Sequence, residues 1–142
     1  MKHKLYGWLA YTLSRSVRRI DGIVVPSDWD QRHILNLVVA YRWPRNYSTS
    51  MRLHYNSGRP FPLFDKRVGD VVGYVNLPSF TQLDLRADKR FLFDNFILDV
   101  YVELVNSTLS REVFEIKREA SGAVTENYYR LVLPSIGVHV EW

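Results

Sequence analysis

The stretch Leu133-Pro134-Ser135-Ile136-Gly137-Val138-His139-Val140-Glu141-Trp142 decides how the chain is read. Side chains alternate across an extended strand. Ile136, Val138, Val140 and Trp142 therefore share one face, and Gly137, His139 and Glu141 share the other. An aromatic at the tip of such a strand has little use in water, where terminal residues fray. A strand that faces hydrocarbon and stops at the interface does use one, because amphipathic rings settle at headgroup level.

The same alternation extends backwards through the chain. In residues 96–106, Phe96, Leu98, Val100, Val102 and Leu104 oppose Ile97, Asp99, Tyr101, Glu103 and Val105. In residues 79–91, Leu83, Leu85 and Ala87 oppose Gln82, Asp84, Arg86, Asp88 and Arg90. The cleanest segment is 46–56, where Tyr47, Thr49, Met51, Leu53 and Tyr55 oppose Asn46, Ser48, Ser50, Arg52, His54 and Asn56. Residues 31–43 set His33, Leu35, Leu37, Val39, Tyr41 and Trp43 against a mixed face of Arg32, Ile34, Asn36, Val38, Ala40 and Arg42. The first segment sets Leu5, Gly7, Leu9, Tyr11 and Leu13 against Tyr6, Trp8, Ala10, Thr12, Ser14 and Ser16. It spans roughly 14 residues, longer than the strands usual in soluble sheets.

The connections alternate in length. Residues 20–30, 58–78 and 107–130 are long, with turn signals at Asp21-Gly22, Pro26-Ser27-Asp28, Gly58, Pro60, Pro62 and Ser121-Gly122. Residues 43–46 and 91–95 are short. The 107–130 connection holds a candidate hairpin of its own, 112–117 against 127–133.

Composition agrees with a β protein. Of 142 residues, 46% are hydrophobic and 14% aromatic, and nine are Tyr. The absence of Cys excludes a disulfide scaffold and a thiolate metal site. The net charge of +4 comes from Lys and Arg scattered singly, with Arg18-Arg19 and Lys117-Arg118 the basic pairs that stand out. No phosphate-tracking stripe results, so nucleic acid is not an expected partner. No run of about 18 apolar residues offers a membrane-spanning helix. Met1-Lys2-His3-Lys4 ahead of an apolar stretch resembles a secretory leader, but Tyr and Gly interrupt the stretch and no small-residue cleavage site follows. The stretch reads as a strand, and no export signal is expected within the chain as given.

Successive charges on one face of a strand require that face to be wet, because burying unpaired charge is too costly. The apolar face must then meet either a second sheet or lipid. Long connections at one end and short turns at the other match an outer-membrane barrel, with the short turns periplasmic. On that basis Arg52, His54, Gln82, Asp84, Arg86, Asp88, Asp99 and Glu103 face the lumen. Trp43, Tyr47, Phe91, Phe96 and Trp142 form an interfacial girdle.

These segments also resemble, in order, the C-terminal end of the barrel of TonB-dependent outer-membrane receptors. Gly7-Trp8-Leu9-Ala10-Tyr11-Thr12-Leu13-Ser14 resembles that family's Gly-Trp-x-Ala-Tyr-x-x-Ser strand. Asp28-Trp29-Asp30-Gln31-Arg32-His33 is similar to its Asp-x-Asp-Gln-x-His step from loop to strand. Ser57-Gly58-Arg59-Pro60-Phe61 resembles its Ser-Gly-Arg-Pro-Tyr exit. Leu77-Pro78-Ser79-Phe80-Thr81-Gln82-Leu83-Asp84-Leu85-Arg86 resembles its Leu-Pro-x-Tyr-x-x-Leu-Asp-Leu-Arg strand. Residues 99–106 and 133–142 are similar to its last two strands, with Trp142 where the family usually has Phe. The family's Asn-Val-x-Asn exit stands here as Val105-Asn106-Ser107-Thr108.

The resemblance implies an all-β, antiparallel up-and-down meander over residues 1–142. It would comprise about six long strands of a barrel of about 22, without the plug domain or TonB box. It implies nutrient uptake in the intact protein, an outer-membrane location and no cofactor. It implies as partners outer-membrane lipid, the barrel-assembly machinery, and the remaining strands and plug. TonB would be reached only through the part not present. It also assigns Ile136, Val138, Val140 and Trp142 to the signal read during barrel assembly. Six strands do not close a barrel, for which about eight are needed, so transport by this portion alone is not expected. Two alternatives stand beside it: an eight-stranded barrel that adds 112–117 and 127–133, and a soluble lipocalin-like binding protein. Enzyme chemistry is not expected. The acids alternate with Arg86 and Arg90, and His3, His33, His54 and His139 are too dispersed for ligand spacing. His33, on the apolar face beside a loop, reads as an interface residue.

Overall fold

The computed structural model describes residues 4–65, 69–119 and 121–142; Met1–His3, part of the 58–78 connection and Ala120 lie outside the described residues. Among the described residues twelve strands form three sheets, and one turn of 3-10 helix joins two of the strands. The strands are β1 (Leu5–Leu13), β2 (Val17–Ile20), β3 (Ile23–Pro26), β4 (His33–Trp43), β5 (Tyr47–Asn56) and β6 (Pro60–Asp65). They continue with β7 (Asp70–Asn76), β8 (Phe80–Leu92), β9 (Ile97–Val105), β10 (Glu112–Arg118), β11 (Val124–Tyr129) and β12 (Leu133–Glu141).

The main sheet has six strands in the order β1-β4-β5-β8-β9-β12, antiparallel throughout. This is the meander that the alternating segments predict. The register keeps the alternation in phase across all five pairings. Leu9 pairs with Leu37, Leu37 with Leu53, Leu53 with Leu83, Leu85 with Leu104, and Val102 with Ile136. A slip of one residue would mix the faces, so this alignment selects the register. No second layer covers the apolar face among the described residues: Leu9 is 64% exposed, Val102 52% and Ile136 75%. The sheet is open, and the outer edges of β1 and β12 pair with no described strand.

Short turns join β4 to β5 and β8 to β9 at one end. Pro44–Asn46 forms the first, with Arg45 and Asn46 both at φ 61°. The second carries stacked Phe93 and Phe96 rings, 4.4 Å between centroids, and a backbone bond from Phe93 N to Phe96 O.

At the opposite end the structure differs from the loops expected over 20–30 and 58–78, whereas the hairpin expected within 107–130 is present, its second strand at Val124–Tyr129 rather than 127–133. Each long connection contains a hairpin: β2–β3, β6–β7 and β10–β11. β2 and β3 turn at Asp21-Gly22, φ 48° and 83°, the left-handed geometry that Asp-Gly supplies to two-residue hairpins. The first strand accordingly stops at Leu13 rather than continuing for about 14 residues. β6–β7 and β10–β11 merge through one parallel pairing, Arg118 with Asp65, into a four-stranded sheet ordered β11-β10-β6-β7. The segments that an eight-stranded barrel would recruit thus lie in this second sheet and do not extend the first. The physical reason is packing. Leu77, Val113 and Ile116 are buried together, with Phe61, Leu63 and Val75 against them. The hydrophobic core therefore sits among the connections, while the largest sheet leaves its apolar face bare.

Candidate polar face and aromatic rim

All eight residues expected to face a lumen stand on the polar side of the main sheet. The register places Arg52 opposite Asp84, Arg86 opposite Glu103 and Arg90 opposite Asp99. Directly opposed side chains lie close enough to pair, so alternating acid and base along β8 becomes a cross-strand ladder. Tyr6 of β1, Arg42 of β4, Ser48 of β5, Arg86 of β8, Tyr101 of β9 and His139 of β12 line one cleft of about 610 Å³ on this face.

The ladder is densest near the long-connection end. Asp84, only 4% exposed, accepts from Arg52 Nε at 2.8 Å and Nη2 at 2.5 Å, from Gln82 Nε2 at 2.8 Å, and from the backbone N–H of Asn106 at 2.9 Å. One carboxylate thus ties β5, β8 and the exit of β9. Asn106 turns that exit at φ 55°, and its side chain is saturated. It donates to the carbonyls of Ser110 and Leu131 and accepts from Ser110 N. The turn at Val105-Asn106-Ser107-Thr108 therefore has a definite geometry. A second buried acid, Asp30, accepts from Ser16 N at 2.7 Å and holds the chain between β1 and β2 against the start of β4.

Towards the short-turn end, Arg86 takes a partner other than its opposite number. It donates twice to Asp88 on its own strand, at 2.9 and 2.7 Å, and its guanidinium lies 3.8 Å from the Tyr101 ring centroid. The Tyr101 ring in turn covers Gly137 of β12, where an added Cβ would fall 2.3 Å from the ring. Arg90 grips both oxygens of Asp99, at 2.7 and 2.6 Å. His54 shares a hydrogen bond with Asn36 at 2.8 Å.

Cross-strand pairing also brings together groups that are distant in sequence. Asp99, His139 and Glu141 offer ligand atoms within 4.8 Å of one another. Spacing along the chain does not reveal this grouping, because the neighbour of His139 lies one strand away. Arg90 donates to both Asp99 oxygens, and His139 Nδ1 lies 4.0 Å from Asp99 and 3.7 Å from Glu141. His33 bonds Tyr11 Oη through Nδ1 at 2.7 Å on the apolar face.

The five aromatics expected as a rim gather at the short-turn end. Trp43 pairs with Tyr47, Phe91 with Leu98, and Glu141 with Ile97, which brings Trp142 level with Phe96. Trp43 Nε1 donates to Thr49 Oγ1 at 2.9 Å, and Tyr41 meets the Trp43 ring edge-on at 4.5 Å. Ile136, Val138 and Val140 line the apolar face of the β12 edge strand, all exposed. Lys89 was overlooked in the sequence, although parity puts it on the apolar side between Ala87 and Phe91.

The connections form a separate polar cluster. Arg18 donates to Asp28 at 2.7 Å and Tyr74 at 3.4 Å, which raises its pKa further. Glu115 is held below the usual carboxylate range by Lys117 and Asn127. Arg59 binds the Asp28 carbonyl and lies 5.5 Å from the Trp29 ring centroid. No family model, curated protein or solved structure matches the chain.

Proposed function

We propose that this chain is part of the wall of an outer-membrane barrel, the C-terminal portion of a TonB-dependent receptor. In that role its polar face lines the solute path and its apolar face meets lipid. The observation that carries the proposal is the phase of the main sheet. Six strands set their apolar residues on one uncovered side and paired charges on the other. A sheet in water would leave that apolar surface exposed over far more than an ordinary patch, whereas hydrocarbon solvates it at no cost.

Strand length supports the same reading. β1, β9 and β12 have nine residues, β5 ten, β4 eleven and β8 thirteen, close to the roughly 9–11 that a tilted strand needs to cross a bilayer. The two short turns share one end with the aromatics, and the three hairpin connections share the other. Open edges of unpaired N–H and C=O groups are costly in lipid, so β1 and β12 require further strands. The chain is accordingly read as part of a wall, and uptake belongs to the complete barrel with its plug and TonB contact. On this reading β12 also carries the assembly signal. The paired Arg and Asp side chains hold and orient solute and have no catalytic role.

Fractionation tests the proposal. Built in as the last six strands of a complete barrel of this family and expressed with an export leader, the chain should pellet with outer membranes, extract only with detergent and change gel mobility on heating. Recovery as a soluble, detergent-free monomer would refute it and favour a lipocalin-like binding protein. Within a full receptor of this family, charge reversal at the position of Arg86 should impair uptake.

A further inference from the structure

We propose that Lys89 and the turn containing Arg45 hold the phosphate of an anionic phospholipid, with its acyl chains lying along the apolar face of β5 and β8. The inference rests on the membrane reading above and adds a lipid headgroup site to it. Among the described residues on the apolar face of the main sheet, Lys89 is the only Lys, Arg, Asp or Glu. It pairs with Tyr47 and Val100, at the level of the aromatic rim.

A cation on a lipid-facing surface is tolerable where its head reaches the interface. Lys89 Nζ does so by donating to the backbone carbonyl of Arg45 in the short turn. It also lies 3.9 Å from the Tyr47 ring centroid and 5.5 Å from that of Phe91. An ammonium has three N–H donors, and the Arg45 carbonyl takes one. The same turn exposes a second cation, the Arg45 side chain, for which no ion pair occurs among the described residues. Directly along the strands from Lys89, Met51 and Leu85 are exposed and apolar. A cationic pair at one end of a hydrocarbon surface matches an amphiphile whose charge and chains are joined, which a free phosphate ion is not.

The test reconstitutes the chain, built in as the last six strands of a complete barrel of this family, into vesicles of equal phosphatidylglycerol and phosphatidylcholine. The chain is then extracted in mild detergent, and the lipid that co-purifies is quantified by mass spectrometry. Phosphatidylglycerol should be enriched. Lys89→Gln should cut the enrichment about fivefold, the scale of one cation at an anionic surface. Lys89→Arg should keep it, as should Lys117→Gln, which removes a charge from the distant four-stranded sheet. Equal lipid ratios for the unaltered chain, or no change in Lys89→Gln, would overturn the site while leaving the membrane reading intact. A chain that stays in the supernatant when the vesicles are sedimented would overturn both.

Discussion

Val102→Arg separates lipid from water as the solvent of the apolar face. Val102 lies on that face, between Ala87 and Ile136 in register, and is 52% exposed. It sits six residues from the rim residue Phe96. At about 3.4 Å per residue and a tilt near 45°, that is roughly 14 Å from the rim, close to the midplane of a hydrocarbon layer about 25–30 Å thick. An Arg at the midplane of a lipid-facing strand costs about 2–4 kcal/mol. An exposed surface position in water tolerates the same change within about 0.5 kcal/mol. Ser135→Arg is the matched control, because Ser135 lies on the polar face opposite Glu103. Urea titrations of a complete barrel of this family carrying the chain as its last six strands, folded in vesicles and followed by Trp fluorescence, should separate the two variants by at least about 1.5 kcal/mol, more than tenfold in the folding constant. If Val102→Arg costs no more than Ser135→Arg, the apolar face is not against lipid and the proposed function fails.

Other predictions concern the ladder and the connections. Asp84→Ala should destabilise the sheet by about 2–3 kcal/mol, since it strands a buried donor at Asn106 N and removes the partner of the half-exposed Arg52. Arg52→Ala should cost only about 1 kcal/mol, because Arg52 is half exposed and Asp84 keeps Gln82 and Asn106; equal losses in denaturant titrations would contradict that division. Gly137→Ala should cost about 1–3 kcal/mol by pushing the Tyr101 ring away from Arg86. Against a Tyr101→Ala background the same change should be close to neutral in a double-mutant cycle. Glu115 has a folded pKa below its unfolded one, so its stabilisation is present at neutral pH and is lost as pH falls through the depressed value. Amide exchange in β10–β11, corrected for intrinsic rates, should therefore quicken on acidification, and Glu115→Gln should abolish that response.

Alternation was enough to define the six main strands, their two faces and the clustering of aromatics near the short turns. Each is a property of residues two apart, which sequence exposes directly. The eight polar-face residues were legible for the same reason. The β2–β3 hairpin is legible in principle, because Asp21-Gly22 lies between Val17-Arg18-Arg19-Ile20 and Ile23-Val24-Val25, although turn signals alone predict only a loop there. Lys89 was equally readable by parity.

Other features depend on partners far apart in the chain, and only the tertiary structure decided them. The sheet joining β6–β7 to β10–β11 rests on Arg118 meeting Asp65 and on Val113 and Ile116 packing beside Leu77. The burial of Asp84 beneath Asn106 and the meeting of His139 with Asp99 are likewise cross-strand events. Local periodicity tells each strand which way its side chains point. The register between strands decides which side chains meet, and it is fixed by the apolar faces of all six strands aligning at once.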